Sequence, residues 1–444
     1  MEQKNTAWER DKEQLQHYRR RTPAITPLYR IVSSCREDFE RSWEDLFQHE
    51  YGALRHEVLD ALDAYLNCGI LAHGCARAAC EDPDCNHSTL IAYSCKRRGI
   101  CPACDAKRAV LFAENLVEHV LLPFDHHHVV FTVPKRIRPF FLHNRALMQH
   151  LYHAAWESWK ELILEQCPTG TPGAVLALHS AGDLIAFHPH SHGLFLAGAI
   201  LPDGIFQALS IDAQRLQELF ADKVLAALRD EPSLKDVFTQ DIVDNMKSWE
   251  HSGFNVFIGE PIPHHDHERL LFAARYLKKC PVSNERLSII ELPGEDARVQ
   301  YAAYKNGEKQ VRSFTPLEFL AELQCSIPDT WEQTTRWLGI YSSRARGAAA
   351  EKLACAQAIE AAAVGSSLGS APLPEPVQKS SATWARLIKQ VFEVDPLKCP
   401  RCGASMKIKG HLSNPNEIAR ITKNLGLQSQ RAPPPLRYSL PLAA

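Results

Sequence analysis

The feature that most limits how this chain can fold is a cysteine-dense block. Seven of its 14 cysteines fall between Cys68 and Cys104. They run Cys68, Cys75, Cys80, Cys85, then His87, Cys95, Cys101 and Cys104. The block has no long apolar run, so a bound metal is expected to stand in for a hydrophobic core. The firmest element is Cys101-Pro-Ala-Cys104, whose two-residue gap lets both thiolates turn onto one tetrahedral ion. Cys80 and Cys85 form a looser pair, and joining them to Cys101 and Cys104 predicts one closed zinc site. Cys68, Cys75, His87 and Cys95 could supply a second. The bland alternative is that some are buried, inert thiols. In a reducing cytosol such clusters bind metal more often than they form disulfides. Lys96, Arg97 and Arg98, followed by Lys107 and Arg108, interleave the ligands. They suit contact with phosphates or form a solvated face.

Length and composition bound the rest. With 444 residues the chain has room for roughly two to four domains. Apolar residues make up 45% and charged residues 23%, ordinary values for a packed protein. The net charge of -2 gives no global argument for nucleic-acid binding, so any such case rests on local patches. The charged N-terminus is unlike a secretory signal, and no stretch approaches the ~18 consecutive apolar residues of a membrane span. A cytoplasmic protein without membrane contact is expected. The pattern predicts an α+β chain. A helical N-terminal region covers 1–67, a zinc-binding domain 68–110, and a mixed domain of helices and strands 120–345. A Gly-, Ser- and Pro-rich linker covers 364–381, and 382–444 form a small unit with Cys399-Pro-Arg-Cys402 and a Pro-rich tail. Strands are predicted at 128–133, 174–180 and 190–200. Helices are predicted at 143–166, 212–229, from 266 to Pro281, and from Pro316 to about Arg336.

The most informative short segment is His188-Pro189-His190-Ser191-His192. Alternate side chains of a strand share a face, which puts His190 and His192 on one side about 7 Å apart at Cα. That is close enough to hold one divalent ion. Proline cannot donate to a sheet ladder, so the strand is predicted to begin at His190. The apolar GLFLAGAI that follows suits a central, two-sided strand. A third ligand must come from elsewhere, and His128 is one candidate. Against this, the chain holds 21 histidines and chance clusters occur.

A helix over HERLLFAARYLKKCP places Tyr276 about a turn from its end, with Arg275, Lys278 and Lys279 nearby. A phenol beside cations can attack a phosphodiester when a metal assists. Taken singly, a helix tyrosine is more often half-buried packing.

These segments occur in a distinctive order: SCKRRGICPAC, FTVP, FHPHSHGLFLAGAILPDGIF, SGFNVFIGEPI, ARYLKKCPVSNERL and DPLKCPRCG. In that order the chain, over roughly residues 60–430, resembles rolling-circle insertion-sequence transposases of the HUH class, which carry an N-terminal transposase zinc-binding domain. The resemblance implies a HUH nuclease-type antiparallel sheet flanked by helices. It implies that His190 and His192 are the metal-binding pair and Tyr276 the nucleophile. It implies that Cys80, Cys85, Cys101 and Cys104 are zinc ligands, with Cys68 and Cys95 in the same domain. Three departures stand out. Ser191 replaces the usual bulky apolar residue between the histidines. The Cys80–Cys85 gap is wide. Phe272 and Cys280 stand where a second tyrosine would lie, which is similar to the single-tyrosine branch.

The activity so implied is cutting and rejoining of single-stranded DNA during rolling-circle-type transposition. Mg2+ or Mn2+ would sit at the histidine pair and Zn2+, one ion or two, in the cysteine block. The route is a 5′-phosphotyrosine, and no phosphate loop for ATP is present. Single-stranded DNA at the ends of a mobile element and target DNA are the expected partners, and self-association is left open. Lys96, Arg97, Arg98, Lys278 and Lys279 are expected to touch the DNA. The rivals are a rolling-circle replication initiator with the same chemistry, a non-catalytic zinc-dependent DNA-binding protein, and a decayed copy.

Overall fold

The computed structural model describes residues 21–305, 307–348, 397–427 and 432–440. The linker expected over 364–381 lies outside these residues. The first helix, α1 (Pro27–Arg41), starts where the Thr26 side chain accepts the N–H of Tyr29 and Pro27 sits at a position that needs no donor. It buries Leu28, Ile31, Val32, Cys35 and Phe39, and α2 (His56–Asn67) buries Val58, Ala61, Leu62 and Tyr65. Both sets recur every three or four residues, so each helix offers one apolar stripe. The cysteine block supplies β1 (Cys75–Cys80) and β2 (Ser88–Ala92) and then α3 (Pro102–His119), which begins between the two cysteines of the CPAC motif.

The next stretch builds one sheet and its covering helices: β3 (His126–Thr132), α4 (Met148–Gln166), β4 (Gly173–Ala181) and β5 (Phe187–Leu196). A small hairpin of β6 (Gly198–Ile200) and β7 (Phe206–Ala208) leads to α5 (Ala213–Arg229), β8 (Asn255–Ile258) and α6 (His267–Tyr276). A second small sheet follows, from β9 (Leu287–Ile290), β10 (Arg298–Lys305) and β11 (Glu308–Phe314). Then come α7 (Pro316–Gln324), β12 (Thr335–Gly339) and, after the undescribed segment, β13 (Met406–Leu412) and α8 (Pro415–Asn424).

The principal sheet has the order β12-β4-β5-β3-β8, antiparallel throughout. Its alternation decides what each face meets. Val129, Phe131, Leu176 and Phe195 point to one face and pack against Leu151 and Trp159 of α4 and Leu216 and Phe220 of α5. Val175, Ala177, Leu194 and Leu196 point to the other, against Leu116 of α3 and Leu270, Ala273 and Ala274 of α6. Each fully buried Leu or Phe contributes roughly 1.5–3 kcal/mol through the water-exposed surface it loses. β5 lies at the centre, with neighbours on both edges. Gly193 is required there, since an added Cβ would lie 2.5 Å from the Phe195 ring and 2.7 Å from Leu176.

A separate core joins distant segments. Leu28, Phe39 and Tyr65 of the N-terminal helices pack with Ile100 and with Val299, Phe314 and Leu320 of the β9–β11 sheet and α7. The protein is thus a mixture of helices and antiparallel sheets with a cysteine-rich zinc-binding region near its N-terminus. None of its described helices is long and apolar enough to cross a membrane.

Three expectations about elements are corrected. β5 begins at Phe187 rather than His190, because the β4 register shifts between His179 and Ala181 and leaves Pro189 opposite no ladder partner. α6 ends at Tyr276, where the N–H groups of Lys278 and Lys279 bond to the carbonyls of Arg275 and Tyr276 in a tight turn. The helix from Pro316 stops at Gln324, short of Arg336, and Thr335–Gly339 pair with β4 as an edge strand.

Candidate active site and metal centres

The sheet face that carries α3 and α6 also carries a row of imidazoles. His190 and His192 alternate along β5, and His179 lies directly opposite His190 on β4. One ring nitrogen from each of the three lies within 4.8 Å of the other two. His128 of β3 stacks flat on His192 at 5.4 Å, with a ring-to-ring nitrogen distance of 3.3 Å, and stands outside that trio. The third imidazole beside the pair is therefore His179 and not His128. The sequence signal for it was a single polar residue ending the apolar strand AVLAL. Its register against His190 is set by the turn at 182–186, which local spacing does not reveal.

Hydrogen bonds orient the rings. His190 Nδ1 donates to the His188 carbonyl at 2.6 Å, which leaves Nε2 free to ligate. His179 Nε2 faces the Leu277 carbonyl at 3.3 Å, which leaves Nδ1. Burial holds the His179 pKa down to about 3, with the neighbouring His190 adding to the fall. Burial lowers His190 and His192 as well, so all three rings are neutral near pH 7, as metal ligation requires. Three neutral nitrogens that can converge on one point fit a divalent cation. This donor set suits Mn2+ better than the oxygen-demanding Mg2+.

Tyr276, the last residue of α6, faces this row. Its ring centre lies 4.9 Å from that of His192, edge to face, and 6.2 Å from that of His179. The contact between His179 and the carbonyl of Leu277 ties the end of α6 to β4 and so fixes where the phenol sits. Lys279 Nζ lies 5.0 Å from the tyrosine ring centre. Burial raises the Tyr276 pKa above 10, and Asp183 raises it further.

The imidazoles and the phenol line one cavity of about 310 Å3. Lys278, Lys279, Arg286, Arg98, Arg108 and Arg145 line it too, so six cations share its wall with the Asp105 and Asp183 carboxylates. Arg98 reaches it from the cysteine block, anchored by a 2.8 Å bond to the Glu332 carbonyl. Lys278 is half-buried, with its ammonium bonded to Thr335 Oγ1 and 5.0 Å from the Phe112 ring centre. Burial lowers its pKa to about 8, with the charges of Arg108 and Arg98 adding. Lys96 and Arg97 are exposed and lie outside the lining.

The thiols sort into two groups that differ from the expected pairing. Cys68, Cys95, Cys101 and Cys104 converge, with Sγ–Sγ distances of 3.7 Å for Cys68–Cys101, 3.7 Å for Cys68–Cys104 and 3.6 Å for Cys95–Cys104. A tetrahedral ion with Zn–S bonds near 2.3 Å separates its sulfurs by about 3.8 Å, so the four residues fit zinc. Cys80 and Cys85 do not join Cys101 and Cys104. They face Cys399 and Cys402 instead. Cys75 and His87, expected to complete a second site with Cys68 and Cys95, belong to neither group. Cys80 ends β1 and Cys85 lies in the loop that follows it.

Two family models match the chain. One, described as "Putative transposase", covers residues 173–349. The other, described as "Transposase zinc-binding domain", covers residues 38–133. The chain is 24% identical over 403 residues to the transposase for insertion sequence element IS801 of Pseudomonas savastanoi pv. phaseolicola. That match spans 87% of this chain and 90% of the relative. The chain is similar to transposases of this kind over most of its length. It is also 24% identical over 336 residues to "Putative transposase y4qJ" of Sinorhizobium fredii, across 70% of this chain and 80% of that one. No solved structure matches it. His179, His190, His192 and Tyr276 all fall inside the 173–349 match, and Cys68 to Cys104 inside the other, whereas Cys399 and Cys402 lie beyond both.

Proposed function

We propose that this chain is a transposase that nicks and rejoins single-stranded DNA through Tyr276, in a HUH-type nuclease domain, during rolling-circle-type transposition. The observation that carries the reading is the phenol of Tyr276 set 4.9 Å from the His192 ring, beside imidazoles able to hold a cation. His179, His190 and His192 would hold that cation, with Mn2+ preferred to Mg2+. Bound there, it supplies Lewis-acid polarisation of the scissile phosphate. Lys278, Lys279, Arg286 and Arg98 hold the flanking phosphates and align the strand.

The Oη of Tyr276 attacks phosphorus in line. An Oη–P bond forms and the bond from phosphorus to the 3′ oxygen breaks. The phenolic proton is lost, and the departing oxygen takes up a proton to become a free 3′-OH. A 5′-phosphotyrosine remains, which conserves the phosphoester. A 3′-OH from target DNA later attacks it, restoring the phenol and joining the strands. The neutral imidazole row and the raised phenol pKa keep Tyr276 protonated until substrate arrives.

The test is covalent capture. A labelled single strand from the element's end, incubated with protein and Mn2+, should yield a protein–DNA adduct stable to denaturant. Tyr276→Phe should abolish it. An adduct of equal yield from the variant overturns the assignment.

A further inference from the structure

Cys399 and Cys402 lie outside both matched regions, yet they do not stand alone. β13, which follows them closely, runs antiparallel along the whole of β1, from Cys75 opposite Leu412 to Cys80 opposite Met406. β1 is thereby the middle strand of a sheet ordered β13-β1-β2. A strand more than 300 residues later completes the cysteine domain. The same docking brings the turn before β13 against the end of β1. Cys80 Sγ lies 3.5 Å from Cys402 Sγ and Cys85 Sγ lies 3.7 Å from Cys399 Sγ, with all four within 4.8 Å of one another.

The local backbone is built for ligation. Gly403, at φ +76°, turns the chain directly after the CxxC pair, and its N–H bonds to the Cys399 carbonyl at 2.9 Å. The N–H of Glu81, next to Cys80, bonds to the Ser405 carbonyl at 2.9 Å, which joins the two knuckles. At the other end of this sheet Leu71 and Leu90 meet Ile418, Leu412 and Ile421, but apolar contact beside the four thiols is slight. The cluster beside it contains Ala78, Ile91 and Met406 besides the thiols, with Leu397 at its margin. A core that small does not fold unaided.

We propose that Cys80, Cys85, Cys399 and Cys402 bind a second structural zinc ion, which fastens the C-terminal strand to the N-terminal cysteine domain. The sulfur separations match a tetrahedral tetrathiolate site as closely as those of the first cluster do. On binding, the thiols lose their protons to solvent and the ion keeps its oxidation state, so no redox partner is needed. The zinc-binding domain is then discontinuous in sequence and closes only when the end of the chain arrives.

Metal analysis of the full chain tests this. The expected content is two zinc ions per chain, falling to one in Cys399→Ser/Cys402→Ser. One zinc in the unaltered protein, iron in place of zinc, or two zincs retained by the variant overturns the proposal. Thiol alkylation of the unaltered protein covers the case where the variant fails to fold. Cys80, Cys85, Cys399 and the solvent-exposed Cys402 should resist iodoacetamide together, and should react together once a chelator is added. Rapid labelling of Cys402 in protein that retains both ions also overturns it.

Discussion

At the scale of single residues, the proposed chemistry turns on how each imidazole is held. His179 contributes one ring of the trio and also positions the carbonyl that follows Tyr276. Loss of an outer partner of a metal ligand costs about 10–100-fold in affinity, and loss of a ligand costs more. His179→Ala should therefore weaken Mn2+ binding, measured by titration calorimetry, by over about 100-fold, while His128→Ala changes it far less. Equal effects would remove His179 from the ligand set. Ser191, between His190 and His192, points to the opposite face and is fully buried. Its hydroxyl has no hydrogen-bond partner among the described residues. A buried unmade hydrogen bond costs about 1–3 kcal/mol. Ser191→Ala should raise unfolding stability in urea by roughly 1 kcal/mol with metal affinity unchanged. A loss of stability would mean that the hydroxyl is satisfied in solution. That His190 and His192 share a face was legible from strand alternation, because that rule acts within a few residues. Tyr276 was singled out by the order of the segments and not by helix periodicity. His179 was not legible, because a cross-strand register decides it.

At the scale of elements, α6 and its turn determine which cations reach the cavity. Ending the helix at Tyr276 puts Lys278 inward and Lys279 over the ring, an arrangement that a helix continued to Pro281 would not give. Lys278 has a folded pKa near 8 against 10.5 when unperturbed. Between those values the unfolded chain holds a proton that the folded chain lacks, so stability rises as pH climbs from about 8 to 10.5. The cavity, in contrast, loses a positive charge as pH passes 8. Single-stranded DNA affinity, followed by fluorescence anisotropy, should fall between pH 7 and 9 in the unaltered protein and stay flatter in Lys278→Arg, whose charge persists. Parallel curves would show that Lys278 does not face the strand. The same scale shows where pattern reading failed. Pro189 blocks a ladder bond only where the ladder needs one, and the shift after His179 removes that need. After Pro316 the sequence did carry a stop signal, Pro328, but periodicity could not show that Thr335–Gly339 would pair with the edge of β4.

At the scale of the whole molecule, the cysteine block does more than fold itself. Cys68, Cys101 and Cys104 share a core with α1, α2 and the β9–β11 sheet, and Arg98, three residues from Cys95, lines the cavity that holds Tyr276. Gly99, at φ +75°, passes so near Ser326 that a Cβ there would lie 2.2 Å from its carbonyl oxygen. Cys95→Ser should therefore lower cleavage of a single strand along with zinc content, with hydrogen exchange rising near residues 98 and 326. Full cleavage with zinc lost would separate the two regions. The zinc domain was evident in the sequence from ligand spacing. The pairing of its thiols was not, because half of one cluster arrives from the far end of the chain.

The register of β13 on β1 has a further effect on incomplete copies. A polypeptide ended before residue 406 leaves one side of β1, six residues long, with bare amide and carbonyl groups. Such an open margin recruits strands from other chains, so prematurely terminated products of this gene should self-associate and fall out of solution instead of persisting as free chains.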